Sequence, residues 1–192
     1  WNAIARAIGE EYDKYDGFVV VHGTDTMAYT ASAVSFALEG LSKPVVFTGS
    51  QIPLSVVRTD GLTNLVDSCL VAGSAGPSIA EVLIVFDSLV MRGNRTTKLK
   101  AWGISGFKSF NFPPIGEGGV HLITFDNRAI AAKPGAAFHC RPHFSQDVAL
   151  LSVFPGVERF AGPMISALSE RGVRGIVLEA YGIGNADRKS VV

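Results

Sequence analysis

The chain has 192 residues, 47% hydrophobic and 18% charged, with 17 basic side chains against 17 acidic ones. That is a soluble globular balance, long enough for one good core or for one core and part of a second. It gives no electrostatic reason to expect nucleic acid or an anionic membrane as partner, and no apolar run approaches the roughly 18 residues of a membrane span.

The opening "WNAIARAIGEEYDKY" puts Trp1, Ile4, Ala5, Ile8 and Tyr12 on one stripe, with Glu10, Glu11, Asp13 and Lys14 off it, which predicts an amphipathic helix. It feeds a strand at Gly17–Val21, where Phe18-Val19-Val20-Val21 is the short apolar run of a strand covered on both faces. From Met27 the apolar residues Ala31, Val34, Ala37 and Leu38 follow at helical spacing, so "HGTDT" is a strand-to-helix turn. Lys43-Pro44 leads into a strand at Val45–Gly49, the loop "SQIPLSVVRTDG", a helix around Leu62–Ala72 broken by "GSAGPS", and a strand at Glu81–Phe86. This order predicts an α/β fold: a doubly wound, mostly parallel, flavodoxin-like sheet with right-handed crossovers. The stretch Asp87–Pro114 reads as a long irregular loop, the kind that in a compact domain is usually functional or mobile.

From about Asp126 the character changes. Residues 126–147 read as a connector between a first domain, 1–125, and a second α/β unit, 148–192, with strands at "VALLSVFPG" and "GIVLEAYGIGN" around the helix "ERFAGPMISALSERG". One β-α-β unit is too small to be stable alone, so further chain is expected beyond it. Further chain is expected before Trp1 as well, since no methionine opens the sequence. Cys69 and Cys140 make no disulfide framework, which fits a reduced, intracellular protein; Cys69, in "NLVDSCLVAGS", is expected in the core.

Loops at the carboxyl ends of parallel strands are where open α/β sheets bind ligands, and Thr24 and Asp25 stand at such an end. Either could instead cap the helix that follows. Lys98, in "MRGNRTTKLK", lies after another strand of the same sheet, with Arg92 and Arg95 near it to lower its pKa. A Thr–Lys–Asp set suits acyl transfer from a small amide: the carboxylate holds a substrate ammonium while the hydroxyl and backbone N–H groups handle the carbonyl. Spacing alone favours the alternative, that Lys98 is one of several solvated charges. "HCRPH" offers His139, Cys140 and His143 at a zinc-like spacing, but four ligands are needed and no second cluster exists. "GIGNAD" is only a fragment of a dinucleotide fingerprint. His22 is expected to orient its turn by hydrogen bonding, and Arg58, Asp60 and Asn64 to hold the loop after "SQIPL".

"GFVVVHGTDTM" (Gly17–Met27) resembles the second signature of the asparaginase/glutaminase family, G-x-V-x-x-H-G-T-D-T-M, with every signature position filled. "SFALEGLSKPVVFTGSQIPL", "RGNRTTK", "FKSFNFPPI" and "YGIGN" follow in the family's order, and the first two of these resemble the cytosolic type I L-asparaginases within it. The likeness spans residues 1–186 and does not extend to "RKSVV". It implies hydrolysis of L-asparagine to L-aspartate and ammonia through an acyl-enzyme on a threonine, without metal or organic cofactor, in a cytoplasmic homotetramer built as a dimer of dimers. It implies that Thr24 is the second catalytic threonine, that Asp25 grips the substrate's amino group, that Lys98 completes the set, and that Gly23 lines the substrate. Asn185 resembles an asparagine of the loop that completes a neighbour's site. The family's other threonine, the primary nucleophile, belongs to a T-G-G-T turn that this sequence does not contain, so the chain by itself is expected to be inactive. Other roles open to such a chain are glutaminase activity, the ammonia-producing subunit of a tRNA-dependent amidotransferase, or an inactive amino-acid-binding homologue.

Overall fold

In the computed structural model, which describes residues 1–74, 76–119, 123–182 and 184–185, the opening stripe folds as helix α1 (Asn2–Glu11). The stripe's inner members do the packing: Ala5, Ile8 and the following Tyr12 are buried, whereas Trp1 is half exposed. Strand β1 (Phe18–Val21) then leads to helix α2 (Met27–Ala37), the short β2 (Leu38–Glu39), β3 (Val45–Thr48), helix α3 (Gly61–Ser74) and β4 (Val82–Phe86). β3 lies between β1 and β4 and pairs with both in parallel, with Val20 opposite Phe47 and Phe47 opposite Ile84. Every residue of β3 and β4 is buried, whereas β1, expected to be covered on both faces, lies at the sheet edge, is only half buried and leaves Val21 exposed. Val46, Leu83 and Val85 pack with Val71 and Ala72 of α3. The alternate residues Val45, Phe47, Ile84 and Phe86 point to the other face, where α2 brings Met27, Ala31 and Val34. Burying each of the Val, Leu, Ile, Phe and Met side chains among these contributes about 1.5–3 kcal/mol.

The sheet then departs from the parallel pattern. β4 turns directly into β5 (Leu89–Arg92), which pairs with it in antiparallel fashion, and β8 (Gly116–Gly118) and β9 (Ile123–Phe125) extend the same edge. The six strands run β1-β3-β4-β5-β8-β9, parallel on one side and antiparallel on the other. The α/β class stands, but much of the stretch read as one irregular loop is two hairpins. The first turns on Asp87 (φ 52°) and Ser88 (φ 57°), a left-handed pair without the glycine that ordinarily signals such a turn. Its geometry is held from outside: the Asp87 N–H donates to Asn64 Oδ1 (2.9 Å) and the Ser88 hydroxyl to Asp67 (3.0 Å). The second hairpin joins β6 (Thr97–Lys98) to β7 (Phe107–Lys108).

β10 (His139–Cys140) pairs with β2, Phe138 stacks on Tyr12 with centroids 3.6 Å apart, and the first compact unit runs from Trp1 to His143. The second unit starts at Phe144 and holds the expected β-α-β: β11 (Val148–Ser152), α4 (Glu158–Glu170) and β12 (Gly175–Glu179), the strands parallel. No residue of α4 is buried. Residues 186–192, including the end of "GIGNAD" and all of "RKSVV", lie outside the described residues. Among the described residues no helix is long and apolar enough to cross a membrane.

Cys69 is a correction: it is exposed. Helix α3 buries Asn64, Ser68, Val71 and Ala72 and turns Leu62, Val66, Cys69 and Leu70 outward, so its inward stripe is partly polar and its outward face apolar. Cys140, by contrast, is partly covered; its thiol donates to the Ala5 carbonyl (3.2 Å), and burial pushes it above its ordinary pKa. A limiting thiol reagent at neutral pH is therefore expected to alkylate Cys69 at least about 10-fold faster than Cys140, read by peptide mass mapping. Equal labelling of the two would mean that α3 is turned the other way.

Candidate active site

The ends of β1 and β3 are drawn together at one glycine. A Cβ on Gly49 would lie 2.3 Å from the His22 carbonyl oxygen, so no larger residue fits there. The His22 N–H donates to the Thr48 carbonyl (2.8 Å), continuing the ladder, and its Nδ1 donates to the Gly23 carbonyl (2.8 Å). The expected orienting role of His22 is thus visible. Asp60 fixes the loop on the β3 side: its carboxylate accepts the N–H groups of Gln51 (3.0 Å) and Ile52 (2.9 Å) and the Asn64 amide (3.1 Å). Asn64 also donates to the Gly49 carbonyl (2.9 Å), whereas Arg58 is exposed.

Thr24 and Asp25 emerge from this pinned turn just before α2. The helix is capped at Thr26 with no side-chain hydrogen bond, so capping does not occupy either residue. Their partner is Lys98, more than seventy residues away in sequence, whose Nζ lies 2.7 Å from Thr24 Oγ1 and 2.7 Å from Asp25 Oδ1. Lys98 is carried on β6 opposite Phe107, whose buried ring packs on Phe86 (4.8 Å). The Lys98 side chain is 14% exposed, that of Asp25 92%. The lysine is therefore anchored while one face of the carboxylate stays open to a ligand. Lys98 is not a solvated surface charge.

Two sequence expectations around this cluster are revised. Arg92 does not serve Lys98: its guanidinium grips buried Glu81, donates to the Arg128 carbonyl (2.9 Å) and stacks on Phe112 (4.2 Å). Arg95 is exposed on the 3-10 turn before β6. Gln51 was not legible as a site residue. Its Oε1 accepts the Thr24 hydroxyl (3.2 Å), and its Nε2 donates to the carbonyls of Gly103 (3.0 Å) and Lys100 (3.3 Å). The only sequence sign was a polar residue in the loop that follows a strand end.

Gly23 is exposed and, with His22, Thr48, Gly49, Ser50 and Leu54, lines a cavity of about 380 Å³ at the ends of β1 and β3. Thr24, Asp25 and Lys98 are not among its walls. Asn185 belongs to the second unit, where it is exposed and closes a turn with Tyr181: each backbone N–H donates to the other's carbonyl, at 2.9 and 3.1 Å. His139 and Cys140 are used by the β10 ladder, and among the described residues no group of three His, Cys, Asp or Glu is placed to hold a metal ion.

The family model described as asparaginase, N-terminal, matches residues 1–130. The chain is 42% identical over 186 residues to L-asparaginase 1 of Escherichia coli, which covers 97% of this chain and 53% of that protein. It is 40% identical over 191 residues to the 60 kDa lysophospholipase of Mus musculus, covering 98% of this chain and 33% of the mouse protein. The crystal structure of L-asparaginase I from Vibrio cholerae superposes with a TM-score of 0.85 at 41% identity, over 98% of this chain and 56% of that one. The chain thus spans about half the length of the two bacterial relatives.

Proposed function

Because the chain belongs to the asparaginase family, we propose that it carries the second threonine, the aspartate and the lysine of an amidohydrolase site that converts L-asparagine and water into L-aspartate and ammonia. The observation that carries this reading is the position of Lys98 Nζ, 2.7 Å from both Thr24 Oγ1 and Asp25 Oδ1. A hydroxyl becomes reactive when a base can take its proton, and Lys98, once it has given up a proton of its own, is placed to take that of Thr24. Thr24 in turn accepts one from the oxygen that attacks the substrate's side-chain carbonyl. Asp25, open on one side, holds the substrate ammonium at the end opposite the reacting amide, and the Gly23 backbone lines the approach. The threonine that forms the acyl-enzyme comes from a T-G-G-T turn outside this sequence. No organic cofactor or metal takes part in this scheme. Cytoplasmic placement fits two free cysteines. In the assembled dimer of dimers, Asn185 completes the site of a neighbouring copy.

The test is ammonia release by the full-length protein with L-asparagine and with L-glutamine. Turnover of L-asparagine is expected, and none from the 192-residue chain alone. Release from neither substrate by the full-length protein sinks the reading; faster release from L-glutamine moves it to a glutaminase.

A further inference from the structure

We propose that Gln51 is a positioning residue that locks the Thr24 hydroxyl to the Lys98 hairpin, an inference that rests on the asparagine-hydrolysing reading above. Three separate pieces of chain meet at its carboxamide. Thr24 comes from the turn before α2, Gln51 from the loop after β3, and Lys100 and Gly103 from the hairpin that carries Lys98.

The orientation of the carboxamide is dictated by its neighbours. The carbonyls of Lys100 and Gly103 can only accept, so the NH2 group must face them and Oε1 must face Thr24. Oε1 can only accept in its turn, so the single hydroxyl hydrogen of Thr24 points to Gln51. Lys98 is then the donor in its contact with Thr24, and Oγ1 is fixed from two sides, at 2.7 Å by Nζ and at 3.2 Å by Oε1. For proton transfer the hydroxyl hydrogen turns from Oε1 to Nζ once Nζ has lost a proton and presents a lone pair in place of its N–H, without Oγ1 itself having to move.

Both ends of the clamp are anchored. On one side, the Gln51 N–H is held by Asp60, which is itself buried and bonded to Asn64. On the other, the hairpin presses on the carboxamide: a Cβ built on buried Gly106 would lie 2.8 Å from Gln51 Nε2. The hairpin's own N–H groups are satisfied at the same place, with Leu99 and Lys100 donating to the Gly106 carbonyl (2.8 and 3.2 Å) and Gly106 to that of Ile104 (2.7 Å). A side chain that joins a hydroxyl to the backbone carrying its base sets the distance between them, and small misplacements of reacting groups cost large factors in rate.

The experiment has two readouts. In the full-length protein, Gln51→Met fills similar space without any of the three carboxamide hydrogen bonds and is expected to lower kcat about 10- to 100-fold with KM within about threefold of wild type. Gly106→Ala, which pushes the carboxamide from the hairpin side, is expected to lower kcat about 5-fold or more. In the double variant the loss is no larger than in Gln51→Met alone. A kcat within about twofold of wild type in Gln51→Met overturns the proposal, as do losses that multiply in the double variant. Should Gln51→Met fail to fold, Gly106→Ala decides through its own kcat, and a value within about twofold of wild type there overturns the proposal equally. Amide hydrogen exchange of the full-length protein supplies the second readout, independent of turnover. Leu99, Lys100 and Gly106 are expected to exchange at least about 10-fold faster in Gln51→Met, and unchanged rates there overturn the clamp. A wild-type protein that hydrolyses neither asparagine nor glutamine rejects the parent reading, while the exchange rates still decide the clamp.

Discussion

Lys98→Ala in the full-length protein is expected to lower kcat/KM for L-asparagine by about 100- to 1000-fold, the scale set by losing a general base or a preorganised charge. Its Nζ is the only cation within reach of both Thr24 and Asp25 among the contacts of the described residues, and it is held there by a largely buried stem. Thr24→Ala is expected to cost the same, and the double variant no more than either single one, because hydroxyl and amine act as one unit whose effects do not add. Lys98→Arg sharpens the test. Arginine keeps the charge that faces Asp25 but cannot be deprotonated in a protein. If Lys98 takes a proton, Arg is as inactive as Ala; if it only neutralises Asp25, Arg retains most of the rate. Steady-state ammonia release from the four proteins decides between the two roles, and near-normal turnover in Lys98→Ala removes the lysine from the reacting set altogether.

The parts of this site that were legible in the sequence share one property: each is fixed by its own neighbours along the chain. "VVVHGTDTM" announces a strand, a turn and the start of a helix, and those local preferences suffice to place Thr24 and Asp25 at a strand end, although β1 is only half buried. Lys98 could be singled out only because a second strand of the same sheet preceded it. That the residue sits on a short strand of its own could not be read, since the pairing Lys98↔Phe107 spans the long loop "LKAWGISG", whose glycines fit an irregular connection as well as a hairpin. The β4–β5 hairpin stayed hidden for a related reason. Its turn residues Asp87 and Ser88 are held at positive φ by Asn64 and Asp67, bonds made at a distance, where a glycine would have announced the same conformation locally. Gln51 is the limiting case: its partners are the Thr24 hydroxyl and two backbone carbonyls, and backbone carbonyls carry no sequence identity. Cys69 shows the converse error. An apolar run at helical spacing predicts a buried stripe, whereas α3 buries Asn64 and Ser68, which form hydrogen bonds at the strand ends and within the helix.

Asp25→Ala is expected to lower kcat/KM for L-asparagine by at least about 100-fold while leaving the folded state almost untouched. The two halves of this expectation have the same origin. The Asp25 side chain is 92% exposed and makes one ion pair, and exposed pairs of this kind contribute little to stability. A carboxylate retained in such a position, one oxygen on Lys98 and the remainder facing solvent, is available to a second cation, and the substrate's ammonium is the cation that the proposed reaction supplies. The discriminating substrate is therefore succinamate, which keeps the side-chain amide and the carboxylate of asparagine but lacks its amino group. Wild type should favour asparagine over succinamate strongly. In Asp25→Ala that preference should collapse, with turnover of succinamate changed by no more than about threefold, because Lys98 and Thr24 still face each other. An equal loss on both substrates would carry a different meaning: Asp25 would then act through Lys98, holding its Nζ against Thr24, and the ammonium would be gripped by another group. Thermal unfolding of the variant accompanies the kinetics, since a large drop in Tm would assign the loss to folding instead of recognition.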